Sequence, residues 1–185
     1  MKSYSTILFD LDGTLTDSSQ GIINSIIYTL KKYDINDYDM TLLRKFLGPP
    51  LHESFEKFFG FDKEKSLQAV KFYREYFSTK GLLENEVYCG ITDLLQNLKE
   101  NGKTLIVATS KPQPFTDRIM EHFDLAKYFD FIAGSNMDTT RSKKAEVIEY
   151  ALSECNIIDK SSVIMVGDRA EDMIAANCLK TAGAG

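Results

Sequence analysis

Cysteine is scarce in this 185-residue chain, with only Cys89, Cys155 and Cys178. An odd number of thiols without a CxxC spacing argues against a disulfide framework and against a zinc site, and it fits reduced thiols in the cytosol. No apolar run approaches the ~18 residues that span a bilayer. The start MKSYSTILFD also lacks the basic stretch and apolar segment of a signal peptide. We therefore expect a cytoplasmic protein that does not bind a membrane.

Basic residues are outnumbered as well. The chain has 22 Lys and Arg against 27 Asp and Glu, a net charge of -5, and no cluster of Lys and Arg offsets this balance. Nucleic acid is therefore not an expected partner. A small anionic substrate is still compatible with the sequence, because the local field in a cleft outweighs the net charge. The hydrophobic content of 43% and charged content of 26% are typical of a globular protein.

Continuous apolar runs predict the strands of a sheet that is covered on both faces. The strongest runs are residues 6–9, 104–108 and 163–166, and a weaker one contains Phe129, Phe131 and Ile132. Continuous rather than alternating apolar strands are typical of parallel sheets. Two apolar stripes at helical spacing separate them: Ile91, Leu94, Leu95 and Leu98, and Ile148, Ala151, Leu152 and Cys155. This alternation predicts an α/β fold with a doubly wound parallel sheet.

Residues 16–84 do not follow that alternation. Apolar side chains recur at helical spacing in the first part, at Ile23, Ile26, Ile27 and Leu30, and Gly48-Pro49-Pro50 interrupts the pattern. Aromatic side chains mark the helices that follow. About seventy residues without a strand predict a helical insert outside the sheet. We therefore expect an α/β core of residues 1–15 and 85–185, with residues 16–84 as a separate helical domain.

Polar residues follow each of the three strongest strands. They are Asp10, Asp12 and Gly13 after the first, Thr109, Ser110 and Lys111 after the second, and Gly167, Asp168 and Asp172 after the last. In doubly wound sheets, ligands bind beyond the carboxyl ends of the strands. Lys143 and Lys144 precede the helix that leads into the last strand, so one of them is expected at the same edge.

Carboxylates that converge without compensation repel each other and resist burial, so a divalent cation is the simplest way to stabilise them. Oxygen ligands without a nearby His or Cys favour Mg²⁺. Asp168 and Asp172 are four residues apart and would face the same way on a helix. A lysine, a hydroxyl and backbone N–H groups suit a phosphoryl group. One of the two aspartates after the first strand can attack phosphorus while the other acts as acid and base.

Four segments, DLDGT, VATSK, RSKKAEVI and VGDRAED, resemble the four motifs of the haloacid dehalogenase superfamily in its phosphatase branch. The insert resembles the four-helix cap of that superfamily, and DSSQGI, LGPPLHESF and VATSKP resemble its phosphoglycolate phosphatase-like members. The resemblance implies a Rossmann-like core. It also implies a Mg²⁺-dependent phosphatase that acts on a small phosphorylated metabolite through a phosphoaspartate, either phosphoglycolate phosphatase-like or nucleotidase-like. We expect a monomer or a homodimer.

The resemblance also implies a role for each matching residue. Asp10 would be the nucleophile, Asp12 the general acid and base, and Thr109 a hydrogen-bond donor to the phosphoryl oxygens. Lys144 would hold nucleophile and phosphate together, and it is preferred to Lys143 on its spacing to the following helix. The metal would be held by the carboxylates of Asp10 and Asp168 and the backbone carbonyl of Asp12, with Asp172 in support. The remaining phosphate contacts are expected from Gly13, Ser110 and Lys111.

The carboxyl end departs from the family pattern. Members usually continue past the last motif with a short strand, a glycine-rich loop and a final helix, whereas only 13 residues (185 − 172) follow Asp172 here. This predicts a sheet that lacks one of its edge strands.

Other functions stay open at this point. The same superfamily contains phosphosugar mutases, and a phosphoaspartate signalling or binding protein without turnover uses similar residues on a similar sheet. A phosphoaspartate signalling protein usually lacks a helical insert. The insert and the DLDGT segment of this chain therefore argue against that alternative. A dehalogenase is disfavoured because Asp12 and Mg²⁺ have no role in displacing a halide. A non-enzymatic remnant is the last alternative.

Overall fold

The structure is a computed structural model that describes residues 3–138 and 140–185. The chain forms two compact units. An α/β unit joins the residues up to Asp17 to Val87–Gly185, and a helical unit consists of Ser18–Glu86. Both boundaries lie two residues later than those expected from the sequence.

The described residues contain seven strands and eight α-helices. The strands are β1 (Thr6–Phe9), β2 (Thr16–Asp17), β3 (Glu86–Val87), β4 (Thr104–Pro112), β5 (Phe131–Ser135), β6 (Val163–Val166) and β7 (Ala182–Ala184). The helices are α1 (Ser19–Lys31), α2 (Met40–Arg44), α3 (Leu51–Phe59), α4 (Lys63–Tyr76), α5 (Ile91–Glu100), α6 (Gln113–His122), α7 (Lys144–Glu154) and α8 (Ala170–Leu179). None of these helices is both long and apolar enough for a membrane span.

Five parallel strands form the sheet of the α/β unit, in the order β5-β4-β1-β6-β7. The central strand β1 aligns Phe9 with Val107 of β4 and with Val166 of β6. A buried cluster that includes Leu8, Ile106, Met165 and residues of α7 and α8 covers one face. The prediction of a doubly wound parallel sheet is confirmed, and the continuous apolar strands are explained by burial on both faces.

The sheet edges differ from the sequence prediction. The fourth strand begins at Phe131 rather than at Phe129, because Phe129 ends a 3₁₀ turn and packs its ring edge-on against Phe9. Strand β7 pairs with β6 from Ala182 to Ala184, so the expectation that the sheet lacks this edge is wrong. The segment Ala-Gly-Ala has no bulky apolar side chain, which is why the apolar pattern did not reveal it.

Strand β4 is longer than predicted and irregular near its end. It pairs with β5 at Ala108 opposite Ala133 and then, after a shift of register, at Pro112 opposite Ser135. Residues 109–111 lie in this irregular stretch. Such a bulge bends the strand and redirects its side chains, here at the edge where the candidate residues were expected.

Most of the predicted helical stripes are buried. In α7, Ile148, Ala151 and Leu152 are buried as expected. In α5, Leu95 is fully buried whereas Leu94 is 44% exposed, so the predicted stripe is narrower than four residues. Gly102 follows that helix with φ of +70°, the left-handed conformation that glycine adopts most easily.

The helical unit contains α1 to α4 and a π-helical turn, Phe77–Gly81. Its first and last segments meet through their backbones, because the N–H of Gly21 donates to the carbonyl of Glu84 at 3.0 Å. A Cβ atom on Gly21 would overlap the carbonyl oxygen of Gly81. Only glycine therefore permits this approach. Its core combines aliphatic side chains with an aromatic cluster in which Phe46, Phe55 and Phe61 are buried and Phe59 is partly buried.

Candidate active site

The DLDGT segment forms a tight turn after β1. Asp10 is still tied to the sheet, because its N–H donates to the carbonyl of Val166 at 2.9 Å. The buried carbonyl of Leu11 then accepts the N–H groups of residues 14, 15 and 16 at 3.3, 2.9 and 3.0 Å. Gly13 has φ of +84°, and a Cβ atom there would overlap the Asp168 carboxylate. The turn therefore brings the first motif against the last one.

Three of the predicted carboxylates form a cluster. Asp10, Asp168 and Asp172 each offer one oxygen, and these oxygens all lie within 4.8 Å of one another. Asp10 and Asp172 are buried whereas Asp168 is exposed. The cluster is therefore reached from solvent on the side of Asp168. The sequence predicted that these three carboxylates would meet beyond the carboxyl ends of the strands, and they do so here.

The ammonium group of Lys144 lies inside this cluster. Its Nζ is 2.7 Å from Oδ1 of Asp10 and 2.8 Å from Oδ1 of Asp172, and it donates to the carbonyl of Ala108 at 3.0 Å. Lys144 is buried at the first residue of α7. Lys143 is exposed, and its backbone N–H donates to Glu146. The structure thus brings Lys144, and not Lys143, to the carboxylates.

Each carboxylate oxygen of Asp172 contacts another group of the chain. Its Oδ2 accepts the N–H of Arg169 at 3.1 Å, which caps the start of α8, and its Oδ1 contacts Lys144. Asp168 lies before that helix, so the two carboxylates meet across the helix start rather than along one face.

Asp12 contacts a different lysine. The Nζ of Lys111 lies 2.7 Å from Oδ1 and 2.5 Å from Oδ2 of Asp12. Lys111 comes from the irregular stretch of β4, together with Thr109 and Ser110. The Thr109 side chain is buried and hydrogen-bonds the Asp10 carboxylate. The sequence predicted that these residues would lie at one edge but did not pair Lys111 with Asp12.

Burial dominates the electrostatics of Asp10. Desolvation raises the pKa of its carboxyl above the usual range, Lys144 opposes this shift, and the charge of Asp172 adds to it. When all groups of the site are ionised, four carboxylates face two ammonium groups, so two negative charges remain uncompensated. A divalent cation matches that excess, and the oxygen donors of the cluster fit such an ion.

Tyr88 is a neighbour of the site that sequence reasoning missed. Partial burial raises the pKa of its phenol, and the charges of Asp17, Asp168 and Asp12 raise it further. The side chain is 41% exposed. A single tyrosine in the segment Val-Tyr-Cys-Gly has no distinguishing pattern, so no signal in this sequence pointed to it.

Comparison with known proteins agrees with this arrangement. Residues 7–184 match the family described as haloacid dehalogenase-like hydrolase. The chain belongs to the haloacid dehalogenase-like hydrolase family. A 5'-nucleotidase of Pseudomonas aeruginosa is 42% identical over 174 residues, which are 94% of this chain and 78% of that protein. Such relatives support a phosphatase-like function, that of an enzyme acting on phosphoric monoesters.

Two further proteins are similar to this chain over most of its length. A solved structure of a candidate phosphatase from Clostridium difficile superposes with a TM-score of 0.93 at 48% identity, covering 100% of this chain and 86% of that one. The tyrosine-protein kinase PtkA of Mycobacterium tuberculosis is 36% identical over 170 residues. The match covers 92% of this chain but only 57% of the kinase.

Proposed function

We propose that the chain is a Mg²⁺-dependent phosphatase that hydrolyses a small phosphate monoester through a phosphoaspartate on Asp10. The observation that supports this most directly is the convergence of Asp10, Asp168 and Asp172 around Lys144, with Thr109 on the Asp10 carboxylate. A buried nucleophile with a fixed lysine and hydroxyl suits a phosphoryl group, whose charge spreads over several oxygens.

The carboxylates of Asp10 and Asp168 and the backbone carbonyl of Asp12 would hold the metal ion. Asp172 would support it indirectly, through its contacts with Lys144 and with the N–H of Arg169. Oxygen donors alone favour Mg²⁺ over softer metals. When bound, the ion would supply the positive charge that keeps Asp10 ionised and neutralises phosphoryl oxygens.

Asp10 would attack phosphorus, which forms a bond between its carboxylate oxygen and phosphorus and breaks the bond to the ester oxygen. Asp12, which must be protonated when the substrate binds, would give its proton to the departing alcohol. It would then take a proton from the water that attacks the phosphoaspartate, and phosphate would be released with Asp10 restored. Lys144 and Thr109 would hold Asp10 and the phosphoryl oxygens during both steps, with Ser110 beside them.

Gly13 would contribute through its size. Its N–H donates to the carbonyl of Thr16 at 2.8 Å and is therefore not available for a phosphate, which differs from the expectation for this residue. The absence of a side chain, however, leaves room for the Asp168 carboxylate. Any larger residue would push the last motif away from the first.

A nucleoside 5'-monophosphate is the first substrate to test, because a relative with 42% identity is named a 5'-nucleotidase. Phosphoglycolate is the second, following the resemblance of the sequence. The helical unit would act as a cap whose residues select the leaving group. A cytoplasmic location and a monomeric or homodimeric state stay predictions.

The test is a panel of nucleoside monophosphates, phosphoglycolate and sugar phosphates, assayed for phosphate release with Mg²⁺ and with a chelator. We expect turnover only with the metal, and at least a ~10³-fold loss in Asp10→Asn, since the nucleophile is removed. Asp130→Asn is a matched control, because Asp130 also has a lysine partner but lies at the amino ends of the strands, away from the site. Turnover that persists in Asp10→Asn would refute the phosphoaspartate, and an isomeric product without phosphate release would indicate a mutase.

A further inference from the structure

We propose that Lys111 is a positioning residue that holds the Asp12 carboxylate in the direction required for proton transfer, and that it does not bind the phosphate itself. This inference rests on the proposed function, because it takes Asp12 as the acid and base of that reaction. It differs from the expectation that Lys111 contacts the phosphate.

The contact between the two side chains is close and involves both carboxylate oxygens. The Nζ of Lys111 lies 2.7 and 2.5 Å from the two oxygens of Asp12. A contact of one ammonium nitrogen to both oxygens restrains the position of the carboxylate, although it lacks the planar fork geometry of an arginine. The Lys111 side chain is only 5% exposed, whereas that of Asp12 is 31% exposed. Asp12 is thus held from its buried side and keeps an open side for a reacting group.

Lys111 is itself well anchored. Its N–H donates to Oγ1 of Thr109 at 3.3 Å, and its carbonyl accepts the hydroxyl of Thr116 on α6 at 3.3 Å. These contacts fix the irregular stretch of β4 to which Lys111 belongs. The lysine therefore reaches Asp12 from a rigid strand 99 residues away in sequence. A proton donor supported in this way is more accurately oriented than a side chain free to change rotamer.

The two buried lysines of the site divide their partners. Lys144 contacts Asp10 and Asp172, and Lys111 contacts Asp12. Each of the two aspartates in the DLDGT segment therefore has its own lysine. If Lys111 bound the phosphate, it would have to give up Asp12 in the same step. Lys144 already places a positive charge beside the nucleophile, where the phosphoryl group would be attacked.

The consequence concerns the leaving group. An alkoxide leaves phosphorus poorly without a proton, whereas p-nitrophenolate is a stable anion that leaves without one. A misdirected Asp12 should therefore slow alkyl esters much more than p-nitrophenyl phosphate. The effect should appear in kcat/KM, because this constant reports the steps up to the departure of the alcohol.

The test compares Lys111→Met with the unmodified chain on the best alkyl phosphate of the panel and on p-nitrophenyl phosphate. We expect kcat/KM for the alkyl ester to fall ~10²-fold, in the range of a general-acid contribution, and the aryl ester to fall far less. Lys111→Arg keeps a positive charge and should restore part of the alkyl activity. If the Met variant does not fold, as judged by circular dichroism, Lys111→Gln replaces it, because glutamine also removes the positive charge but keeps a polar end group, and the same ester ratio is measured.

Two controls make the result specific. Lys99→Met removes a lysine that contacts both oxygens of Asp130 at 2.8 and 2.9 Å, outside the site, and should leave the ester ratio unchanged. In an Asp12→Asn background, Lys111→Met should not change the ratio further, because the partner through which it acts is gone.

Three outcomes would overturn the inference. An equal fall for both esters, together with weaker inhibition by inorganic phosphate, would show that Lys111 binds the phosphate. Unchanged kinetics with a lower melting temperature would show a structural role only. No turnover of either ester by the unmodified chain would refute the proposed function, and this inference with it.

Discussion

Aspartate and lysine side chains contact each other at both ends of the strands in the α/β unit, but their charges are balanced differently. At the amino ends, Asp130 contacts Lys99 through both oxygens and accepts the N–H of Leu105 at 2.9 Å. At the carboxyl ends, Asp10 and Asp172 share the single ammonium group of Lys144. The first arrangement is a complete ion pair, whereas the second leaves negative charge without a partner.

The pKa values of the two aspartates differ accordingly. Burial acts to raise the pKa of Asp130, but hydrogen bonds from Lys99 and Leu105 outweigh it and the pKa lies below the usual range. Burial raises the pKa of Asp10, and Lys144 does not compensate for it fully because Asp172 adds a further negative charge. The charges at the amino ends are thus matched within the chain, whereas the carboxyl ends keep an excess of negative charge that a bound cation would compensate.

Removal of Lys144 should have the largest effect. Lys144→Met would leave Asp10 and Asp172 buried without their common partner, and loss of one member of a buried ion pair costs about 3–5 kcal/mol. The free energy of unfolding, measured by denaturant titration in a chelator, should fall by that amount. Lys143→Met, at the exposed neighbouring position, should change it by less than about 0.5 kcal/mol. Similar small losses in both variants would show that the buried cluster tolerates its charges without the lysine.

Asp10→Asn should stabilise the metal-free chain while it abolishes turnover. The substitution removes one of the carboxylates that compete for Lys144, so we expect the melting temperature in chelator to rise by about 2 °C or more, equivalent to ~1 kcal/mol at this size. Added Mg²⁺ should then stabilise the unmodified chain more than the variant. Calorimetry with and without the metal measures both effects. A lower melting temperature in Asp10→Asn would contradict the idea of uncompensated charge.

The pH dependence should separate the two aspartates. The pKa of Asp10 is raised in the folded chain, so the folded chain keeps the carboxyl proton of Asp10 at pH values where the unfolded chain has lost it. Ionisation of Asp10 therefore destabilises the metal-free protein as pH rises from about 4 through the raised pKa. The advantage of Asp10→Asn should therefore grow from pH 4 to pH 8.

Asp130 should show the opposite sign. Its folded pKa is lowered, so its contribution is present above about pH 4 and is lost as pH falls through the folded value. The destabilisation by Asp130→Asn should shrink below pH 4, as followed by thermal melts at several pH values. Parallel curves for the two variants would contradict the contrast between the strand ends.

The smallest effect is expected from Lys99→Met. The Lys99 side chain is one-third exposed, and pairs of this kind contribute about 1 kcal/mol or less. Denaturant titration should show a small loss of stability, while phosphate release stays unchanged. A large kinetic effect would mean that the amino ends influence the site.

Much of this arrangement could be predicted from the sequence. The apolar runs of β1 and β6 were predicted with their bounds, because side chains that are buried in β1, and buried or partly buried in β6, leave a continuous apolar signal. The edge at which Asp10, Asp168 and Lys144 meet followed from topology, since parallel strands end at the same side.

Other features depend on tertiary structure and left no such signal. The contact between Lys111 and Asp12 results from the bulge in β4, which redirects side chains in a way that no local spacing encodes. Strand β7 is held by pairing with β6 and not by apolar side chains of its own. Leu94 lies in an apolar pattern yet is exposed, because the stripe of α5 is covered only around Leu95.

The backbone bond from Gly21 to Glu84 also bears on how this protein can be rebuilt. Because the helical unit is closed where the chain enters and leaves it, its sixty-nine residues (18–86) form a cassette between Asp17 and Val87. Whether exchange of the cassette is tolerated depends on the burial and hydrogen bonding of the backbone at its two junctions. Under the proposed role of the helical unit in selecting the leaving group, exchange of this cassette for one from a relative, with the α/β unit unaltered, would change the substrate preference.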